Sequence, residues 1–152
     1  MIVTARHAQP DDIYLIAQRM RRDDRNEVMA SHGLMPEAAM RISYQTSSWI
    51  RTGTIDGEPF CMFGVCPLSA LSTVAAPWLL GTDRIREVKR EFLRHNLELI
   101  PEMSKGFCRL ENWVDVRNTM SVRWLKWLGF AIMPPEPFGV FGLPFHRFTM
   151  EV

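Results

Sequence analysis

The sequence predicts one α+β domain, residues 1–152, in which helices cover both faces of a mixed, mostly antiparallel β-sheet. Two observations predict this class. Hydrophobic residues make up 47% of the chain and charged residues 23%, which is typical of a globular domain with one buried core. A strand–helix–strand pattern in the second half interrupts a series of short strands, and such a crossover places parallel strands beside antiparallel ones.

The first third of the chain is predicted to hold one strand and two helices. Ile2 to Ala8 is expected to form the strand. Pro10 and the two aspartates after it mark a helix start, because proline suits the first turn and carboxylates favour the positive end of the helix dipole. The charged run Arg19 to Glu27 is predicted to be a solvated face of this helix, and Gly33 to end it. A second helix is predicted from Pro36 to about Trp49.

A hairpin and a further strand are predicted next. Asp56-Gly57 supplies the positive φ that a tight turn needs, and the apolar run Pro59 to Cys66 follows it. Leu71 to Leu80 is another apolar stretch, which favours a strand and stops at Gly81. The spacing of the three cysteines fits neither a disulfide framework nor a zinc site, so buried free thiols are expected at Cys61, Cys66 and Cys108.

The second half opens with the strongest helical pattern, from Thr82 to about Ile100. Apolar residues then alternate from Cys108 to Val116, as in a strand with one buried face. Asn118 is predicted to cap a further helix, which ends at Gly129 in a left-handed conformation. The remaining apolar runs predict the last two strands, Phe130 to Met133 and Phe145 to Met150.

The segment Asn118 to Phe130 carries a recognisable pattern. Ser121 lies three positions after the asparagine, and the helix closes with Leu128-Gly129-Phe130. This pattern, together with the order of elements along the whole chain, resembles the GNAT acyltransferases in and around their last helix. The resemblance implies the GNAT fold and an acyl-CoA-dependent N-acyltransferase, an acetyltransferase of unknown amine substrate.

A narrower resemblance extends from about Asp23 to Phe148. Its matching segments are Trp78 to Asp83, the long basic helix after it, Glu111 to Val114, Asn118 and Leu128 to Phe130. These segments look like the small internal virion protein family of T-seven-like podophages and related prophages. The likeness implies a phage- or prophage-encoded protein that acts through protein contacts, in virion assembly or as an internal virion component. Its partners would be other phage structural proteins or a second copy of the chain.

The GNAT resemblance places a phosphate-binding loop at Leu80 to Arg84. In that family a Gln/Arg-x-x-Gly-x-Gly/Ala loop binds the pyrophosphate of acyl-CoA through backbone amides. Here the loop holds one glycine, and Asp83 puts a carboxylate beside the helix start, so Asp83 is predicted to be a helix cap. If acetyl-CoA or another acyl-CoA binds, the expected contacts are Leu79, Leu80, Gly81, Thr82, Arg84, Arg86 and Asn118.

The catalytic groups that the resemblance implies are incomplete. Many GNAT enzymes protonate the departing thiolate with a tyrosine, and Leu125 at that position has no proton to give. The candidates for a general base are Glu111 and Asp115, on the polar side of their strand, and His146. Solvent exposure explains the two carboxylates equally well, and a core or surface role explains the histidine. No Ser-His-Asp, Cys-His or metal-ligand arrangement is present in the sequence.

Two surface features bear on partners. Arg86, Arg90 and Arg94 recur every four residues and form a column of like charge, which is either a solvated face beside neighbouring glutamates or a contact for an acidic partner. Trp124 and Trp127 lie three apart on a helix that cannot bury every side, so a large aromatic at the surface would favour a protein partner.

Net charge and hydropathy narrow the function classes. A formal net charge of +1 argues against non-specific nucleic-acid binding, and no apolar stretch is long enough to span a membrane. We therefore expect a protein of the host cytoplasm, incorporated in a phage particle if the virion role holds. Two functions stay open: a phage-type protein with a degenerate acyl-CoA site that binds no cofactor, and an active N-acyltransferase.

Overall fold

A computed structural model describes residues 1–152. The helices are α1 (Pro10–Ala17), α2 (Arg22–His32), α3 (Pro36–Thr46), the 3-10 helix Asp83–Glu87, α4 (Lys89–Met103) and α5 (Thr119–Leu128). The strands are β1 (Val3–His7), β2 (Trp49–Ile55), β3 (Glu58–Pro67), β4 (Val74–Gly81), β5 (Arg109–Asp115), β6 (Ala131–Ile132), β7 (Glu136–Phe138) and β8 (Leu143–Glu151).

All strands belong to one sheet in the order β1-β2-β3-β4-β5-β8-β6, with β7 beside β8. Every pair is antiparallel except β4 and β5, which run parallel. Helices α1 to α3 pack on one face through Met62 and Leu80, and α4 and α5 pack on the other through Phe63 and Val65. The predicted class, a mostly antiparallel mixed sheet with helices on both faces, is confirmed.

The predicted first helix is in fact two helices. Between α1 and α2 the chain turns at Met20, which bridges to Thr82, and the Arg21 N–H donates to the Gly81 carbonyl at 2.8 Å. This turn points the start of α2 into the molecule. The prediction of a solvated face over residues 19–27 is therefore wrong, since Arg21 is 2% exposed and Asp24 1%. Gly33 ends α2 with φ 68°, as predicted.

The helix predicted from Thr82 onward is also divided, into the 3-10 helix and α4. Thr82 caps the 3-10 helix, because its Oγ1 accepts the Arg84 N–H at 3.3 Å. Asp83 is exposed and makes no hydrogen bond, so the prediction that it caps the helix is wrong. Asn118 occupies the N-cap position of α5, but its side chain does not cap the helix and bonds elsewhere.

The predictions for the cysteines and for the helix that begins at Pro36 are confirmed only in part. The three thiols are free, but only Cys61 is buried, whereas Cys66 is half-buried and Cys108 exposed, because Cys108 precedes β5 at the surface. The helix from Pro36 ends at Thr46, since Trp49 begins β2. None of the helices has the length and apolar character needed to cross a membrane.

Gly129 is a point where the fold depends on one backbone conformation. It ends α5 with φ 104° and ψ 8°, in the left-handed region predicted from the sequence. Because a β-branched side chain is strained there, Gly129→Val should lower the free energy of unfolding by about 1 kcal/mol or more in urea denaturation. Ala131→Val is the control, since Ala131 is exposed on β6, where a β-branched residue fits. Equal stability of the two variants would refute the account of this turn.

Candidate functional site

The central feature of the sheet is the divergence of β4 from β5. The two parallel strands pair only at Val74 with Arg109 and at Ala75 with Leu110. Pro77 has no N–H and therefore cannot continue the ladder. The Asn112 side chain occupies the gap, donating from Nδ2 to the Pro77 carbonyl at 2.8 Å and accepting the Trp113 N–H at 2.9 Å.

Beyond this point a cleft passes between the strands. Its volume is about 480 Å³, and it reaches from α2 and α3 on one face to α4 and α5 on the other. The walls are mostly hydrophobic, so the interior suits an apolar or extended ligand. Both helical layers and β4 contribute to these walls, with Glu27, Trp78, Leu79, Leu99, Trp124 and Leu125 among the lining residues.

The edge of β4 in this cleft offers free backbone groups. The Leu68 N–H donates to the Val74 carbonyl and the Thr82 N–H to the Phe60 carbonyl, so the even-numbered residues of β4 bond to β3. By the alternation of an antiparallel ladder, the N–H and C=O of Leu79 point the other way, into the cleft. Because β5 has already diverged there, a ligand can take both groups.

A buried polar cluster of Arg21, Asp24 and Asn118 lies at the end of β4, beside the cleft-lining Glu27. Arg21 Nη1 lies 2.6 Å from Asp24 Oδ1, and the Asn118 amide Nδ2 donates to the same oxygen at 3.1 Å. The Asn118 Oδ1 accepts from Arg21 at 3.2 Å. Asp24 Oδ2 accepts the Gly81 N–H at 3.0 Å, so a carboxylate from α2 holds the end of β4.

Glu27, one turn further along α2, holds the end of β5 in the same way. Its Oε1 accepts the Asp115 N–H at 2.9 Å and the Asn118 amide at 3.4 Å, while the second carboxyl oxygen makes no hydrogen bond. Burial, followed by the nearby charge of Asp24, raises the pKa of Glu27 to about 8. Burial also raises the pKa of Asp24, against the opposing effect of Arg21.

Six of the seven residues predicted to contact an acyl-CoA lie along β4 and the 3-10 helix after it, and Asn118 precedes α5, but most are engaged within the protein. Leu79 and Leu80 line the cleft. The Gly81 N–H bonds to Asp24, Thr82 caps the 3-10 helix, and Asn118 belongs to the buried cluster. The remaining two are Arg84, which pairs with Glu58 and Glu87, and the exposed Arg86.

The three predicted base candidates do not line the cleft. Glu111 pairs with Arg147 at 2.8 Å. Asp115 pairs with Arg117 at 2.7 Å and is 2% exposed, so its expected position on a solvated side is wrong. The side chain turns inward because α2 covers the end of β5. His146 Nδ1 lies 2.7 Å from the Met133 carbonyl oxygen, across the strand pairing.

Sequence reasoning missed the contribution of α2 to the site. A signal was available, because Asp24, Glu27, Val28 and Ser31 recur at the spacing of one helical face. Val28 is buried, so the carboxylates on its face had to enter the protein with it. Their number and charge had favoured a solvated face. No group of histidine, cysteine, aspartate or glutamate side chains could hold a metal ion.

Comparison with solved structures shows that the chain has the GNAT fold. Ribosomal-protein-alanine N-acetyltransferase from Brucella melitensis matches with a TM-score of 0.72 and 13% identity, over 98% of this chain and 99% of that one. A GNAT-family acetyltransferase from Streptococcus pneumoniae gives 0.66 and 14%, over 99% and 100%. An aminoglycoside acetyltransferase in complex with coenzyme A gives 0.68 and 13%, over 99% and 95%. No protein-family model and no curated protein sequence matches the chain.

Removing the Asp24 carboxylate should be costly. Asp24→Ala leaves the buried Arg21 without its closest carboxylate and the Gly81 N–H without an acceptor, so the free energy of unfolding should fall by about 3–5 kcal/mol. Asp23→Ala is the matched control, because its 3.4 Å contact with Arg21 is partly solvated and should contribute about 1 kcal/mol or less. Similar losses for the two variants, measured by urea denaturation, would contradict the assigned role of Asp24.

The stability of the protein should fall as pH rises from about 4.5 to about 8. The pKa of Glu27 is higher in the folded chain than in the unfolded one, so over this range the folded state holds a proton that the unfolded state has lost. The proton's contribution to the free energy of unfolding is complete when the pH is below the pKa of Glu27 in the unfolded chain. It is lost as the pH rises through the pKa of Glu27 in the folded chain. Glu27→Gln, which never ionises, should flatten the pH profile of melting temperature. Glu37→Gln, at the solvated surface of α3, should leave the profile as in the parent, and an unchanged slope in Glu27→Gln would overturn the assignment.

Proposed function

We propose that the chain is an N-acyltransferase that takes its acyl group from a pantetheine thioester, of which acetyl-CoA and other acyl-CoA molecules are examples. The observation that carries this proposal is the cleft between β4 and β5, with the free N–H and C=O of Leu79 on its wall. A pantetheine arm is extended and contains two amides, so it can pair with a free strand edge as an added strand does. The apolar walls would exclude water from the thioester.

The two mouths of the cleft suit the two substrates. The thioester arm enters from the face of α4 and α5, beside Leu99, Trp124 and Leu125. The amine enters from the face of α2 and α3, beside Glu27 and Trp78. Bringing the two reactants together inside the sheet supplies the orientation that aminolysis of a thioester chiefly requires.

In the reaction the amine nitrogen attacks the thioester carbonyl carbon, the C–N bond forms and the C–S bond breaks. Glu27 can accept the proton of the amine in its ionised form, which its pKa of about 8 makes the major form only above that pH, and its second carboxyl oxygen makes no hydrogen bond. The departing thiolate takes its proton from water, because Leu125 has none to give, and the proton that Glu27 then releases neutralises the hydroxide and restores the base.

The site fits the arm of acyl-CoA better than its diphosphate. The Gly81 N–H, at the end of β4, is already bonded to Asp24, and the exposed carboxylate of Asp83 lies two residues further. A diphosphate there would meet negative charge and few free amides. The contacts that support an acyl donor are therefore those of Leu79 and the apolar walls.

A second function is favoured by two features of the site, the bond between Asp24 and Gly81 and the lack of an acid at Leu125. The Asp24 carboxylate on Gly81 and the missing acid at Leu125 also suit a phage or prophage protein that works through contacts with structural proteins or with its own copies. Such a protein would act in the host cytoplasm or within a particle, without a membrane or nucleic-acid partner. It would release no thiol from any acyl thioester.

The test of the proposed function is the release of thiol from acetyl-CoA and acetyl-pantetheine across a panel of amines and peptides. Amine-dependent release, lost in a variant that fills the cleft such as Ala76→Trp, is the expected result. Absence of release with every donor and amine, from protein with a normal melting temperature, would favour the phage-type role.

Restoring an acid at position 125 should accelerate the reaction. Leu125 lines the cleft, so a tyrosine hydroxyl there can protonate the departing thiolate. We expect kcat of Leu125→Tyr to exceed that of Leu125→Phe by about tenfold or more, at equal melting temperature. The phenylalanine variant has the same ring without the hydroxyl and controls for packing. Equal turnover of the two variants would show that the thiolate does not leave beside this residue.

A further inference from the structure

We infer that the acyl donor reaches this cleft on a phosphopantetheine arm carried by a small acidic protein, and that free CoA is the poorer donor. This inference rests on the proposed function. It deepens that function by naming the donor class and the surface that receives it.

The first observation is that the chain uses the backbone amides a diphosphate would need. At the end of β4 the Gly81 N–H donates to Asp24 and the Thr82 N–H to the Phe60 carbonyl, at 3.0 and 2.9 Å. The Arg84 N–H donates to the Thr82 hydroxyl. Free CoA carries a diphosphate and a third phosphate, whereas a carrier-bound arm has a single phosphodiester. Since few backbone amides are free at the end of β4, the binding of free CoA should be weakened far more than the binding of a carrier-bound arm.

The second observation is that the arm's own slot is intact. Leu79 presents its N–H and C=O to the cleft. The point where β4 and β5 diverge is fixed by the hydrogen bond from Asn112 to the Pro77 carbonyl. A donor that offers only the arm can therefore use every group that remains free.

The third observation concerns the exposed surface of α4 and α5, the two helices whose inner sides line the cleft, and this surface is basic. The exposed side chains Arg90, Arg94, Arg123 and Lys126 make no ion pair. Two nearby carboxylates are turned away, since Glu87 pairs with Arg84 and Glu102 with Arg51. Glu91 and Glu98 remain, so the exposed surface of these helices keeps an excess of positive charge. Such a field attracts an acidic protein.

The same surface of α4 and α5 also exposes two large apolar side chains. Leu97 and Trp127 are 46% and 54% exposed. Leu97 follows Asn96, and Trp127 lies three residues after Trp124, and both of these neighbours line the cleft. Large exposed apolar side chains together with surface charge are typical of protein docking sites. A carrier docked on this surface would pass its arm between the two helices into the cleft.

The test compares equilibrium binding of three donors in which an amide replaces the thioester, so that nothing reacts. The probes are acetyl-pantetheine, acetyl-CoA and an acetylated acyl carrier protein, titrated calorimetrically against the full chain. We expect the carrier to bind at least tenfold more tightly than acetyl-pantetheine and to weaken as salt rises, because the added contacts are electrostatic. We expect acetyl-CoA to bind no more tightly than acetyl-pantetheine.

Two variants locate the docking surface. Arg90→Glu combined with Arg94→Glu should weaken carrier binding at least tenfold, as should Trp127→Ala, while acetyl-pantetheine binding is unchanged in both. Arg41→Glu, on exposed α3, is the control for charge reversal and should leave all three affinities unchanged.

The outcomes separate this inference from the proposed function. Tenfold tighter binding of acetyl-CoA than of acetyl-pantetheine, or a carrier that binds no better than acetyl-pantetheine, overturns the inference while acyl transfer stands. Binding of none of the three donors overturns both. Binding in the expected order without thiol release supports the docking surface and contradicts the transferase.

Discussion

The separation of β4 from β5 is the constraint on which the rest of the site depends. Two neighbouring parallel strands stay hydrogen-bonded along their length unless the ladder is interrupted. Pro77 interrupts the ladder because it lacks an N–H. The Asn112 side chain then donates to the Pro77 carbonyl, so this fork, the point where β4 and β5 diverge, is fixed by a hydrogen bond. Everything below the fork, including the free backbone of Leu79 and the passage between the two helical layers, follows from that interruption.

Helix α2 supplies hydrogen-bond acceptors at the ends of β4 and β5. Because the two strands have diverged there, their last backbone N–H groups would otherwise lack partners. Asp24 accepts from Gly81 and Glu27 from Asp115, and Arg21 balances part of the charge. Burying these carboxylates is costly, which is why the pKa of Glu27 is raised. The arrangement also has a chemical consequence, because the Gly81 N–H that donates to Asp24 is not free to bind an anion.

Features that depend on local chemistry could be predicted from the sequence, whereas those that depend on tertiary contacts could not. The Asp56-Gly57 turn and the left-handed ends at Gly33 and Gly129 need only their own backbone preferences, and they appear where predicted. Asn118 has the residue type of a helix cap, but its side chain bonds instead to Arg21, Asp24 and Glu27, at the start of α2 and within it. The charges of α2 resemble a solvated face until the chain turns at Met20 and carries them inside. Pro77, in the middle of a predicted strand, was the sequence signal of the fork.

The central claim is that a thioester arm pairs with β4 at Leu79 while the end of β4 stays closed. The most direct measurement is the backbone amide spectrum of 15N-labelled protein during titration with acetyl-pantetheine. The account predicts that the Leu79 amide shifts strongly, as a new hydrogen bond forms, and that the Gly81 amide, held by Asp24, barely moves. A large shift at Gly81 with none at Leu79 would contradict it.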